Sequence, residues 1–171
     1  LARASTLVDQ LECPLESVVR ATVLAADARI IPNAAPMQPL PADWLRRVNV
    51  LVVNRSEAAR LTGHTIDETA DDLLAAVANL GPETVVLTLG AQGVLARQGS
   101  KTLARAAYQV DCIDAVGAGD AFVAGLAVAL DRGQALAEAL ALGSAAGALA
   151  CTRHGAQDAM PTLAEVEEFL S

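Results

Sequence analysis

The chain has 171 residues, 53% of them hydrophobic and 19% charged, which suits one domain with a sizeable core and argues against disorder. Twelve basic residues against twenty acidic ones leave a net charge of −8, and Lys101 is the only lysine, so neither a nucleic-acid backbone nor an anionic membrane surface is an expected partner. Aromatics are only 2%, so alanine, leucine and valine must fill the interior.

In chain order, residues 6–11 read as a short strand. Pro14 then opens a helix over 15–26, with Leu15, Val18, Val19 and Val23 on one face. Residues 28–31 are strand-like and end at Pro32 and Asn33. Pro36, Pro39 and Pro41 make a loop before one or two helical turns over 42–47. The nearly continuous apolar run 48–53 suits a strand buried on both faces. A helix from Asn54 stops at Gly63, and a second over 67–80 closes at Gly81 and Pro82. Residues 84–89 form another buried strand. The turn Gly90-Ala91-Gln92-Gly93 and the return over 94–97 read as a hairpin. Further short strands are expected over 101–103 and 108–113, then helices over 117–131, 134–150 and 163–170.

Strands alternating with helices imply an α/β fold, a parallel sheet with helices on both faces, here in a single domain over 1–171. In such sheets the functional residues collect beyond the carboxyl ends of the strands. The polar residues standing there are Glu12, Asn33, Asn54, the 88–93 turn and the 114–120 segment.

Residues 1–11 lack a basic region followed by a long apolar run, so no signal peptide is visible. The apolar stretch 115–150 is interrupted by Asp120, Asp131, Arg132 and Glu138, and its clean part, 121–130, is too short to span a bilayer. A cytoplasmic location with no membrane partner is expected. Cys13, Cys112 and Cys151 are far apart in sequence and form no Cys-x-x-Cys pair, which predicts free cysteines rather than a disulfide framework or a zinc site. The first residue is Leu1 and the opening residues read as the end of a helix leading into a strand, so a longer parent protein is expected.

The segment 114–120, Asp-Ala-Val-Gly-Ala-Gly-Asp, is the most informative stretch. A strand gives way to glycines and then to a helix. The unpaired N–H groups of a helix start, with the helix dipole, form an anion site, and glycines let a phosphate approach that backbone. A carboxylate in the same turn would repel a phosphate, so Asp120 makes more sense as a base that takes the proton of an attacking alcohol. The competing structural reading is a glycine turn with Asp120 as a first-turn acid favouring the dipole.

Residues 114–122, Asp-Ala-Val-Gly-Ala-Gly-Asp-Ala-Phe, resemble the signature Asp-Thr-x-Gly-Ala-Gly-Asp-x-Phe of the ribokinase-like (PfkB) carbohydrate kinase family, with Ala115 in place of the usual Thr. The resemblance implies a Rossmann-like three-layer α/β/α fold with a mainly parallel sheet. It implies Asp120 as catalytic base and the backbone of Gly117, Ala118 and Gly119 as the holder of the transferred phosphate. It also implies that Asp114 helps hold a monovalent cation, K+, together with backbone carbonyls of Val116, Ala150, Arg153 and Gly155. Family members often carry Ser where this chain has Ala159, which removes one possible oxygen ligand.

Three further stretches carry the resemblance. Asn54-Arg-Ser-Glu57 reads as a capping box. The family's Asn-x-x-Glu motif implies in addition that Glu57 organises Mg2+ through water and that Asn54 contacts ATP. Thr88-Leu89-Gly90-Ala91-Gln92-Gly93 resembles the family's nucleotide loop, with a plain hairpin turn as the alternative. By the same resemblance, Gly119, Asp120 and Ser144 join the nucleotide contacts. Gln10-Leu-Glu-Cys-Pro-Leu-Glu16 and Asn33-Ala-Ala-Pro36 resemble the ribokinase branch and imply Glu12 as a sugar contact, against the alternative of a solvated carboxylate before a helix.

No G-x-x-x-x-G-K-[ST] is present, so a P-loop mechanism is excluded. The implied reaction is ATP-dependent phosphoryl transfer to a sugar hydroxymethyl group, ribose to ribose 5-phosphate first. Fructose, a nucleoside or a phosphosugar as acceptor, or a truncated non-catalytic nucleotide-binding protein, remain as alternatives. Implied partners are ATP and a small sugar, with a homodimer open for the complete protein. The family's earlier Gly-Gly sugar-gripping segment, N-terminal strands and β lid have no counterpart in these 171 residues. The chain is therefore expected to be the C-terminal nucleotide-binding portion, with little or no kinase activity alone.

Overall fold

The computed structural model describes residues 1 and 3–171, in two compact units. The first comprises Leu1–Leu89 with Leu95–Ala104, the second Gly90–Val94 with Arg105–Ser171.

Six strands form one sheet in chain order: β1 (Thr6–Gln10), β2 (Arg29–Asn33), β3 (Val50–Asn54), β4 (Thr84–Thr88), β5 (Val94–Gln98) and β6 (Lys101–Arg105). β1 to β4 pair in parallel, with Gln10 opposite Asn33 and Asn54 opposite Thr88. Parallel neighbours need long crossovers. These are supplied by α1 (Leu15–Leu24), by α2 (Ala42–Leu45), and by α3 (Arg55–Thr62) followed by α4 (Ala70–Ala78). β5 and β6 are linked by Gly99 and Ser100 alone, a length that only an antiparallel pair accepts. The sheet is thus mixed but mostly parallel, and the α/β expectation holds.

The first unit is built around β3 and β4. Leu51, Val53, Val85 and Leu87 are fully buried and pack with Leu73, Leu74 and Val77 of α4, and with Trp44 and Leu45 of α2. The helix α1 departs from the face read in the sequence. Val23 is 40% exposed, and Thr22 is buried in its place. The Thr22 hydroxyl donates to the Val18 carbonyl (3.1 Å) and accepts from the Trp44 indole N–H (3.0 Å). A satisfied hydroxyl enters a core at little cost, which apolar periodicity cannot register. The helix α4 starts three residues later than its pattern because Thr69 caps it, accepting from the Asp72 N–H at 3.1 Å.

The strand expected over 108–113 does not form. Its backbone is used otherwise, since the N–H groups of Ile113 and Asp114 both donate to the Cys151 carbonyl (2.8 and 3.2 Å). The aromatic ring of Tyr108 instead meets Phe169 edge-on at 5.1 Å, and the Arg105 guanidinium lies over it.

The second unit contains α5 (Ala118–Asp131), α6 (Leu136–Cys151) and α7 (Leu163–Leu170). Small residues let α5 and α6 approach closely. A Cβ on Gly125 would stand 2.9 Å from the Leu142 carbonyl oxygen, and one on Gly143 would stand 2.8 Å from that of Phe122. Among the described residues no helix is long and apolar enough to cross a membrane.

Asp9 on β1 is at odds with its surroundings. Both carboxylate oxygens are buried without a hydrogen-bond partner among the described residues, and burial pushes the group up from 3.8 to about 6. A carboxyl whose folded pKa is raised binds its proton more tightly when folded, so stability falls as pH rises from about 4 to 6 and stays lowered above. Asp9→Asn is expected to raise the stability of the chain at pH 7 by about 1–2 kcal/mol, discounted for partial solvation, with the gain vanishing near pH 4. Urea midpoints of both proteins at the two pH values check this, and a gain of equal size at both would contradict it.

Candidate functional site

In the first unit the parallel strands deliver their carboxyl ends to one edge of the sheet. Glu12 follows β1 there and is exposed, Asn54 ends β3, and Thr88 ends β4 directly opposite Asn54. The Thr88 hydroxyl donates to the Val53 carbonyl at 3.4 Å. Leu89 is half-buried beside it.

Asn54 and Glu57 form a complete capping box. The Asn54 side-chain oxygen accepts from the Glu57 N–H (2.9 Å). In return, Glu57 Oε2 accepts from the Asn54 backbone N–H and Oε1 from its side-chain amide, both at 2.7 Å. Burial pushes the Glu57 carboxyl up, opposed by the Asn54 N–H and by Arg60. Each oxygen keeps acceptor capacity beyond its one bond. A single aimed carboxylate suits magnesium, which keeps most of its waters and takes few protein ligands.

In the second unit, Gly117 caps α5 at φ +79°, the left-handed region where glycine is favoured. A Cβ there would meet the Met160 methyl at 2.9 Å and Ala156 at 3.3 Å. Gly119 faces open space, with nothing within 4 Å of where its Cβ would be. Ala118 and Gly119 occupy the first turn of α5, where N–H groups lack partners within the helix; the Ala118 N–H donates instead to the Ala115 carbonyl at 3.2 Å. Asp120 lies in the same turn and is exposed. The arrangement offers an anion an accessible backbone and dipole, with one carboxylate alongside.

Asp114 braces this loop. Its Oδ1 accepts from the Val116 N–H and its Oδ2 from the Gly155 N–H, each at 3.0 Å. These two bonds, Val116 first, hold the carboxyl below the usual carboxylate range, so it stays ionised. Ala150 is buried at the end of α6, and its carbonyl accepts from the Arg153 N–H at 3.3 Å. The Arg153 guanidinium is committed to Glu165 (2.5 Å). The two Asp114 bonds bring the segments containing Val116 and Gly155 together. An ionised carboxylate among exposed carbonyl-bearing loops is a donor set acceptable to a monovalent cation, and Ala159, fully buried, adds no oxygen. Ser144 sits half-buried on α6.

The glycine turn divides in its roles. Gly90 (φ +58°) faces open space, and Ala91 and Gln92 beside it are exposed. Gly93 is instead buried, and a Cβ on it would fall 2.0 Å from the Arg105 carbonyl oxygen. Gly93 is therefore closely packed on the side facing Arg105, a constraint additional to the nucleotide contact expected from the sequence. Met160 and Ala156, which back Gly117, were not legible in the sequence. They lie some forty residues from it, and nothing in their type marks the contact.

The sequence matches the pfkB family carbohydrate kinases over residues 2–163. It is 35% identical over 174 residues to the ribokinase of Haemophilus influenzae, covering 99% of this chain and 57% of that protein. Over a shorter span of 98 residues, 54% of this chain and 31% of the relative, it is 40% identical to the aminoimidazole riboside kinase of Salmonella typhimurium. The fold superposes on that of Arabidopsis thaliana ribokinase complexed with ribose and ATP with a TM-score of 0.90 at 29% identity, covering 97% of this chain and 55% of that one. The chain thus spans little more than half the length of the full-length relatives it matches.

Proposed function

The chain belongs to the pfkB family carbohydrate kinases, and on that footing we propose that it is the nucleotide-binding portion, one domain over 1–171, of an ATP-dependent sugar kinase, with ribose as the first candidate acceptor. The observation that carries this reading is the start of α5, where Gly117 in the left-handed region, the open backbone at Gly119 and the Asp120 carboxylate occupy one turn.

In this reading Asp120 takes the proton of the sugar hydroxymethyl group. The freed oxygen bonds to the γ-phosphorus as the bond to the ADP oxygen breaks. The N–H groups of residues 117–119 and the dipole of α5 meet the charge on the transferred phosphoryl group, in a reaction that is mostly positioning and electrostatics. The Asn54–Glu57 pair orients water around magnesium, which when bound neutralises charge on the phosphates. Asn54, the exposed part of the turn at Gly90, Ala91 and Gln92, and Ser144 contact the nucleotide, with Thr88 and Leu89 shaping the approach. Asp114 and the carbonyls of Val116, Ala150, Arg153 and Gly155 hold a monovalent cation, and Glu12 contacts the sugar. A cytoplasmic setting and a homodimer of the full-length protein belong to the same reading.

A coupled ADP-release assay on the full-length protein, with ribose, fructose, ribosides and phosphosugars, tests it. Ribose-dependent turnover requiring magnesium and rising with potassium is expected, with the 171-residue chain alone near background. Preference for a riboside would instead follow the match to the Salmonella enzyme. Nucleotide binding without turnover on any acceptor would leave a non-catalytic nucleotide-binding protein.

A further inference from the structure

Cys112 and Cys151 are separated by almost the whole length of α5 and α6, yet the fold brings them together: burial, and after it the neighbouring Cys112 thiol, pushes the Cys151 thiol up. The backbone places them so. The N–H groups of Ile113 and Asp114, directly after Cys112, both donate to the carbonyl of Cys151, the last residue of α6 (2.8 and 3.2 Å). Cys112 is exposed and Cys151 half-buried, both as free thiols. One member is therefore accessible to a small oxidant, and the other stands ready behind it. An accessible thiol beside a second one is the spatial arrangement of an attacking and a resolving cysteine.

We propose that Cys112 and Cys151 are a reversible dithiol–disulfide site, oxidised by hydroperoxides, whose bridge clamps the Asp114 loop to the end of α6. The Cys112 sulfur attacks the hydroperoxide, the O–O bond breaks, and a sulfenic acid forms as water or an alcohol leaves. The Cys151 sulfur then attacks the sulfenic sulfur, the S–S bond forms and a second water leaves. The two electrons pass from the two thiols to the peroxide, and a dithiol reductant reverses the change. The bridge would reinforce contacts already made, including the Asp114–Gly155 bond. The site does not depend on the kinase reading.

Hydrogen peroxide applied to the purified chain tests the proposal. Free thiols should fall from three to one, leaving Cys13, and trypsin should release peptide 106–132 joined to peptide 133–153, each holding one cysteine. Cys13→Ser should form the same bridge. Cys151→Ser should stop at a Cys112 sulfenic acid that dimedone traps. Amide exchange at Val116 and Gly155 should slow by about tenfold or more in the oxidised chain and recover on reduction. Unoxidised thiols, a Cys112 sulfinic acid with no link to Cys151, or links made only through Cys13 would overturn the site. A formed bridge with unchanged exchange would overturn the clamp.

Discussion

Asp120→Asn in the full-length protein is expected to lower kcat by about 10²–10⁴ while nucleotide binding persists. The carboxylate lies in the first turn of α5, where the open backbone offers a phosphate its hydrogen bonds. A negative charge there does not help to hold an anion, so its removal should leave nucleotide affinity unchanged or improved. A residue needed only to favour the helix dipole would behave differently. Its loss would cost a few tenths of a kcal/mol of stability and leave the rate intact. Rate and nucleotide titration measured side by side separate the two. An unchanged kcat would remove Asp120 as base, and a joint loss of rate and binding would assign it to nucleotide contact instead.

Gly93→Ala should be the most destabilising single methyl addition at the glycine-rich turn, costing about 3 kcal/mol or more. The backbone there is at φ +99°, and the new Cβ would fall 2.0 Å from the Arg105 carbonyl oxygen and 2.8 Å from the Ala107 nitrogen. Both obstacles are main-chain atoms, so no rotamer change relieves the clash. Gly90→Ala three residues earlier meets no atom within 4 Å and carries only the penalty of φ +58°, about 1 kcal/mol. Urea denaturation of both variants measures the difference. Equal midpoints would refute the division of the turn into a packing glycine and an open one. With the expected difference, a nucleotide-binding defect in Gly90→Ala can be read as contact, whereas one in Gly93→Ala reads as unfolding.

Much of the architecture could be read from local pattern. The strands β3 and β4 are legible because a strand buried on both faces must be a near-continuous apolar run, and Asn54–Glu57 because a capping box spans only four residues. Reading failed where partners are distant. The buried face of α1 is not legible locally, because the groups that satisfy Thr22 include Trp44, twenty-two residues on. The residues before Asp114 resemble a strand, but the N–H of Ile113, the last of them, is bound by the end of α6.

The same division applies to the candidate site. Local chemistry determined that residues 117–120 begin a helix with an exposed backbone and an acid in its first turn, since glycine, helix dipole and carboxylate all act within a few residues. Family signature and spacing determined which residues to suspect. Only the tertiary structure decided that Asp114 bridges Val116 to Gly155, that Gly93 is walled in by Arg105 while Gly90 is open, and that the backbone beside Cys112 is bound to Cys151. Those facts depend on which segments meet across gaps of about ten to forty residues. Such meetings are set by the packing of whole helices, and the residues that come together carry no local mark of it.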